Sequence, residues 1–177
     1  MKAIVIGCGR VGATLARTLA DEGWEVTVVE LQEENLSRLG PDWRQPLVLG
    51  HGMDAKVLEE AGVEDADVLI AATDGDNTNL VIAQVATQKY AVAHVAARIQ
   101  DPARAEAYAD RGFHIISPVK MAIEGLAIWA LAAGDSLGNP IRTCEAGHYA
   151  LPAESAQLAS PSMAIFTGEM MWNPRSA

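Results

Sequence analysis

Apolar and polar positions fall in alternating blocks along the chain, and the length and period of each block predict strand and helix in turn. Lys2-Ala3-Ile4-Val5-Ile6 is a short β-branched run that leads straight into Gly7-Cys8-Gly9-Arg10-Val11-Gly12, a strand followed by a glycine turn. From Val11 the apolar residues recur at helical spacing, Leu15 and Leu19 beside Ala16 and Ala20, until Asp21-Glu22-Gly23 ends the pattern. Residues 24–29 read as a second strand closing on Glu30. A short helix over 31–39, acidic at its start, is ended by Gly40-Pro41-Asp42. Residues 46–49 read as a third strand, and Asp54 as the N-cap of a helix over 55–61 that Gly62 closes. Residues 67–72 form a continuous apolar strand, as expected of one buried on both faces. A helix over about 77–89 follows, then a strand over 92–99, a helix over 102–111 with Pro in its first turn, and a sixth strand over 113–116. Strand alternating with helix through short connections predicts an α/β, doubly wound, parallel six-stranded sheet with helices on both faces. An extra helix over 118–133 and an irregular tail are appended.

The first thirty residues carry the chemistry. Gly7 suits a tight turn off the strand, Gly9 lets a diphosphate approach the backbone without a Cβ in the way, and Gly12 lets the helix pack close to the strand. Unpaired N–H groups at the helix start then face the phosphates. Glu30, about 20 residues beyond the glycines, suits the hydroxyls of an adenosine ribose, the Rossmann-like arrangement. A 2′-phosphate there meets a like charge with no compensating Arg beside it, which favours NAD or another adenine nucleotide with an unphosphorylated ribose 2′-OH over NADP. A glycine turn that binds nothing is the alternative; the strand before it, the helix after it and the answering acid speak against that.

Composition narrows the class. The chain has 177 residues, enough for one domain with an appendage, and a formal charge of −10, which argues against nucleic acid or an anionic membrane face as partner. Two cysteines, Cys8 and Cys144, make no disulfide framework. No basic-then-apolar leader precedes the first strand, and the apolar stretch 121–133 contains Glu124 and is too short to span a bilayer. A cytoplasmic protein without membrane insertion is expected.

Ligands of such sheets bind outside the carboxyl ends of the strands. Those ends carry Gly7, Gly9, Arg10 and Gly12, then Glu30 and Leu31, then Gly50, His51, Gly52 and Met53, then Thr73 and Asp74, then Arg98. Arg10 suits a guanidinium forked onto phosphate oxygens, against the alternative of a solvated surface Arg. Arg98 either bridges an internal acid or reaches the ligand or a partner subunit. His51 is an adenine contact or a bystander, and Thr73 and Asn79 fit helix capping as well as a site. The helix over 118–133 is apolar on nearly every face, so it needs cover on more than one side. A second copy supplies that cover in a dimer; the tail folding back is the alternative.

In combination these residues resemble a known family. Ile6-Gly7-Cys8-Gly9-Arg10-Val11-Gly12, Glu30, Gly50-His51-Gly52-Met53-Asp54, the 58–72 segment, Thr73-Asp74 with Asn79, Ala97-Arg98 and Ile116-Ser117-Pro118 look like the TrkA-N or KTN type of domain. This is the N-terminal (RCK) domain of regulators of potassium conductance in bacterial and archaeal potassium transport. The resemblance covers residues 1–133, leaving 134–177 as an extension. It implies a non-enzymatic, nucleotide-sensing subunit that binds NAD(H) or ATP/ADP, pairs through the helix over 118–133, and gates a membrane potassium transport protein. The implied binding set is Gly7, Cys8, Gly9, Arg10, Val11, Gly12, Glu30, Leu31, Gly50, His51, Gly52, Thr73, Asp74 and Arg98, with no catalytic residue. His51 stands where the family commonly has Asp. Val119 stands where some members have a cation-binding Glu, so no metal site carries over. Residues 134–177, rich in Gly, Pro, Ser and Ala, do not resemble the second domain of a full-length regulator and read as an irregular or β-hairpin extension. The competing class, a small NAD-dependent oxidoreductase, needs a substrate domain with a general acid or base, and Cys144, Glu145, His148 and Tyr149 show no recognised spacing for one.

Overall fold

The computed structural model describes residues 1–109 and 114–136, the last six as backbone. Six parallel strands form one sheet in the order β3-β2-β1-β4-β5-β6. They are β1 (Lys2–Ile6), β2 (Glu25–Glu30), β3 (Leu47–Leu49), β4 (Val68–Ala71), β5 (His94–Arg98) and β6 (His114–Ile116). The order reverses between β1 and β4, so the loops after these two strands part and leave a crevice at the carboxyl edge. The helices are α1 (Arg10–Asp21), α2 (Ala55–Glu60), α3 (Asp76–Gln88), α4 (Pro102–Ala109) and α5 (Pro118–Ser136). This is the doubly wound, Rossmann-like architecture expected. No helix among the described residues is long and apolar enough to cross a membrane.

Two apolar layers form because successive side chains of a strand leave on opposite faces. Ile4, Ile6 and Leu69 pack with Leu58 of α2 and Ile82 of α3; Val5, Val26 and Val28 pack with Ala13 and Ala16 of α1. The side of α1 turned to the sheet is therefore made of small residues, Gly12, Ala13 and Ala16, while Val11 is 44% exposed. Of the expected Val11-Leu15-Leu19 stripe, Leu19 packs on this layer while Val11 does not, and small side chains at Gly12, Ala13 and Ala16 let helix and strand approach closely.

Several expected elements differ in detail. The helix expected over 31–39 is a 3₁₀ helix, Glu33–Leu39. It starts late because the Leu31 and Gln32 N–H groups both turn back to the Glu30 carboxylate, at 2.9 Å each. A second 3₁₀ turn, Val63–Asp65, follows Gly62, whose φ of +80° breaks α2 as expected. Asp54 caps α2 by accepting from Lys56 N–H at 2.9 Å. β5 begins at His94 rather than 92, after Ala91 takes a φ of +53°. Residues 110 and 111, Phe113 and the tail 137–177 lie outside the described residues, as does the expected form of 134–177. Of the chain's two units, the first runs Met1–Ala130 and the second begins at Leu131.

Candidate functional site

The crevice at the switch point is a cleft of about 690 Å³. Its floor is the glycine turn. Gly7 has a φ of +98°, and a Cβ on it would stand 2.8 Å from Thr73 N; a Cβ on Gly12 would stand 1.9 Å from Gly7 O. Both positions exclude any larger residue. At Gly9, by contrast, a Cβ would meet nothing within 4 Å. The open space above Gly9 is where a diphosphate can lie against the backbone, beside Arg10 at the start of α1.

One wall is built around Glu30, which is 8% exposed. Its Oε1 accepts from Leu31 N–H, Gln32 N–H and Asn35 Nδ2, and its Oε2 accepts from Cys8 N–H at 2.5 Å. Burial alone pushes the Glu30 carboxyl up, but the hydrogen bonds from Gln32, Cys8, Asn35 and Leu31 outweigh it and hold the group below its ordinary range. Oε1 is filled by three donors, so the lone pair left for a ribose hydroxyl is on Oε2. Burial pushes the Cys8 thiol up, with the Glu30 charge adding to the effect; the thiol stays protonated beneath the turn.

Beyond Glu30 the 3₁₀ helix, with three residues per turn, stacks positions i, i+3 and i+6. Gln32, Asn35 and Arg38 therefore form a polar column along the cleft. Asn35 Nδ2 also donates to Gln32 Oε1 at 3.3 Å, and Arg38 Nη1 donates to Asn35 Oδ1. In the sequence no Arg stands beside Glu30 at the ribose end. Arg38 corrects that: charge alone no longer excludes a 2′-phosphate. Three polar residues spaced by three were the signal that was missed.

The facing wall is Thr73, Asp74 and Gly75 with Thr78. Neither Thr73 nor Asn79 caps α3; Gly75 is the N-cap, without a side-chain bond. Asn79 is instead fully buried. Its Oδ1 accepts from Thr73 N–H at 2.9 Å and Thr73 Oγ1 at 2.6 Å, and its Nδ2 donates to Thr73 O at 2.9 Å. Arg98 lies behind this wall: Nη2 donates to Thr73 O at 2.7 Å and to Asp74 Oδ1 at 3.2 Å.

Of the expected binding set, Gly7, Gly9, Arg10, Glu30, Leu31, Gly50, His51, Gly52, Thr73 and Asp74 line the cleft. Cys8, Val11, Gly12 and Arg98 do not. Cys8 lies buried in the core with only its N–H turned to Glu30, Val11 faces solvent, Gly12 is the packing contact of α1 on the turn, and Arg98 braces Thr73. Gly50 and Gly52 also serve packing: a Cβ on them would stand 2.5 Å from Val57 Cγ2 and 2.3 Å from Ile6 Cγ2. His51 Nδ1 accepts from Met53 N–H at 3.2 Å. Among the described residues no cluster of His, Cys, Asp or Glu is arranged to hold a metal ion.

Comparison with known proteins finds relatives of one family. A Streptomyces coelicolor protein named Trk system potassium uptake protein TrkA is 37% identical over 134 residues, 76% of this chain and 60% of that protein. A Methanothermobacter thermautotrophicus protein named Trk system potassium uptake protein TrkA homolog is 36% identical over 123 residues, covering 69% of this chain and 56% of its own length. The chain thus spans less than two thirds of these curated relatives. Among solved structures, the GsuK channel bound to NAD shares the fold at a TM-score of 0.62 and 20% identity, over 76% of this chain and 24% of that one. The same channel bound to ADP gives 0.60 and 20%, over 71% and 32%. Residues 3–118 match the family described as the TrkA-N domain. With the glycine turn, the acid at the end of β2 and the cleft at the strand switch all falling inside that stretch, the chain belongs to the TrkA-N domain family.

Proposed function

We propose that residues 1–133 are the nucleotide-sensing domain of a cytoplasmic regulator of potassium transport, binding NAD(H) or ATP/ADP and acting on a membrane potassium transport protein. The observation that carries this reading is the cleft itself. It joins an unobstructed backbone at Gly9, a cation at Arg10 and a polar column beside Glu30 in one cleft. The nucleotides named for the GsuK structures and the names of the Trk relatives support the ligand class and the partner.

In this reading a second copy covers α5. Met121, Leu126, Ile128 and Trp129 are 63%, 67%, 69% and 69% exposed, and they leave the helix in several directions, more apolar surface than a lone helix face carries in water. A nucleotide then acts by fitting one arrangement of the pair better than another. The alternative, a small NAD-dependent oxidoreductase, gains no support from Glu30, the buried carboxyl of the cleft. Four donors hold it ionised, whereas a general acid or base works best with a pKa near the operating pH.

The test is calorimetric titration with NADH, NAD, ATP and ADP, run beside sedimentation of the same samples. Binding accompanied by nucleotide-dependent association supports the sensor, and absence of binding by all four overturns it. Gly9→Val is the control, because the fold has room for the side chain and the diphosphate path does not. Unchanged binding in that variant would move the site elsewhere.

A further inference from the structure

The Thr73 wall of the cleft is held by Asn79 of α3 and by Arg98 at the end of β5. Thr73 O receives two donors, Asn79 Nδ2 and Arg98 Nη2, and the same Asn79 Nδ2 also donates to Arg98 O at 2.8 Å. Thr73 is therefore tied to both the side chain and the backbone of one residue at the carboxyl end of β5. Arg98 is in register with Ile116 of β6, and Ile99 N–H donates to Ile116 O at 3.0 Å. Ser117 comes next, 6% exposed, and its Oγ accepts from Lys120 N–H in the first turn of α5. A continuous chain of hydrogen bonds and paired strands thus runs from the cleft wall to the root of the exposed helix.

The chain also has a point of incomplete satisfaction. Arg98 makes both its side-chain bonds through Nη2, while its Nε is buried without a hydrogen-bond partner. Its other contact, Asp74, has a side chain 99% exposed at the rim of the cleft. A buried donor without a partner is unfavourable, and the hold of this side chain on the wall rests on Nη2 and its two acceptors.

We propose that Arg98 and Asn79 are positioning residues that couple nucleotide occupancy of the cleft to β6 and the start of α5. This rests on the nucleotide-binding reading above. A ligand that touches Thr73 cannot move that wall alone, because yielding locally would break its part-buried hydrogen bonds to Asn79 and Arg98. The shift passes to the end of β5, and from there through Ile116 to Ser117. Coupling of this kind needs an element that both sites bias; in this proposal that element is the Arg98 guanidinium with its Thr73 and Asp74 partners.

Hydrogen exchange of the full chain, with and without saturating NADH or ADP, tests this. In the unaltered protein nucleotide slows exchange in residues 73–78, and also, about fivefold or more, in residues 114–124. Arg98→Met removes the donors at similar length and keeps the first effect while losing the second. Arg98→Lys, which retains one donor for Thr73 O, restores part of it. Should Arg98→Met fail to fold, Arg98→Lys decides alone: weakened transmission supports the coupling and full transmission overturns it. Slowing confined to 73–78 in the unaltered protein also overturns it. No slowing at 73–78 with either nucleotide overturns the binding reading itself, a distinguishable result.

Discussion

The two walls of the cleft do similar work by opposite means. On the Glu30 side nearly every bond is local: Leu31, Gln32 and Asn35 reach the carboxylate from within five residues, and only Cys8 comes from afar. On the Thr73 side Asn79, six residues away on α3, is joined by Arg98, 25 residues away and on another strand. The local wall can form its shape as soon as β2 ends, and its column faces solvent. The long-range wall exists only once β4, α3 and β5 have assembled, and its anchor, Asn79, is wholly buried. One wall is thus fixed mainly by its neighbours in sequence, the other also by a neighbouring strand.

Substitutions can break this contrast, beginning with the floor that both walls share. Gly12→Ala places a Cβ 1.9 Å from Gly7 O, and backbone on both sides cannot give. A loss of about 3 kcal/mol or more in chemical denaturation is expected, with nucleotide binding lost along with the fold. Asn79→Ala strips the long-range wall. It leaves Thr73 N–H and the Thr73 and Arg98 carbonyls short of a partner, at about 1–3 kcal/mol, and a variant of undiminished stability would show that the wall stands without its anchor.

Glu30→Gln tests the local wall through pH. The folded carboxyl is held below its ordinary value of 4.5, so the stability it contributes is fully present above that pH and is lost as pH falls through the lowered folded value. Denaturant midpoints measured from neutrality down to acid should therefore fall less steeply in Glu30→Gln than in the unaltered protein. Equal slopes would mean that other carboxylates carry the acid sensitivity. The smallest structural effect belongs to Arg38→Ala, an exposed position where stability should stay within about 0.5 kcal/mol. Nucleotide affinity measured by calorimetry should still drop, by about threefold to tenfold, if the column reads the ligand with a charge-assisted bond.

Legibility in the sequence followed the same division. The glycine turn, Glu30 and the alternation of elements are patterns of neighbouring residues, and the sheet, its six strands and the Asp54 cap stand where those patterns place them. The 3₁₀ helix did not announce itself, since Glu33–Leu39 has ordinary helix formers; the cause is the pull of Glu30 on the two amides before it, and with it went the Gln32-Asn35-Arg38 column. Asn79 fitted a helix cap as well as a site, because Asn near a helix start often caps it. Its burial against Thr73 depends on β5 lying alongside β4, which no local pattern contains.

What the sequence by itself determined is the order of elements, the strained turn where Gly7 takes a positive φ, and the acid that answers it. Each follows from local sterics and the period of apolar residues. Only the tertiary structure decided which of those residues face the cleft and which support it. Cys8, Val11, Gly12 and Arg98 sit in or beside the right motifs yet turn into the core, to solvent or behind the wall. Side-chain direction at a strand end is set by what packs against it from elsewhere in the chain, and that information exists only after the sheet has closed.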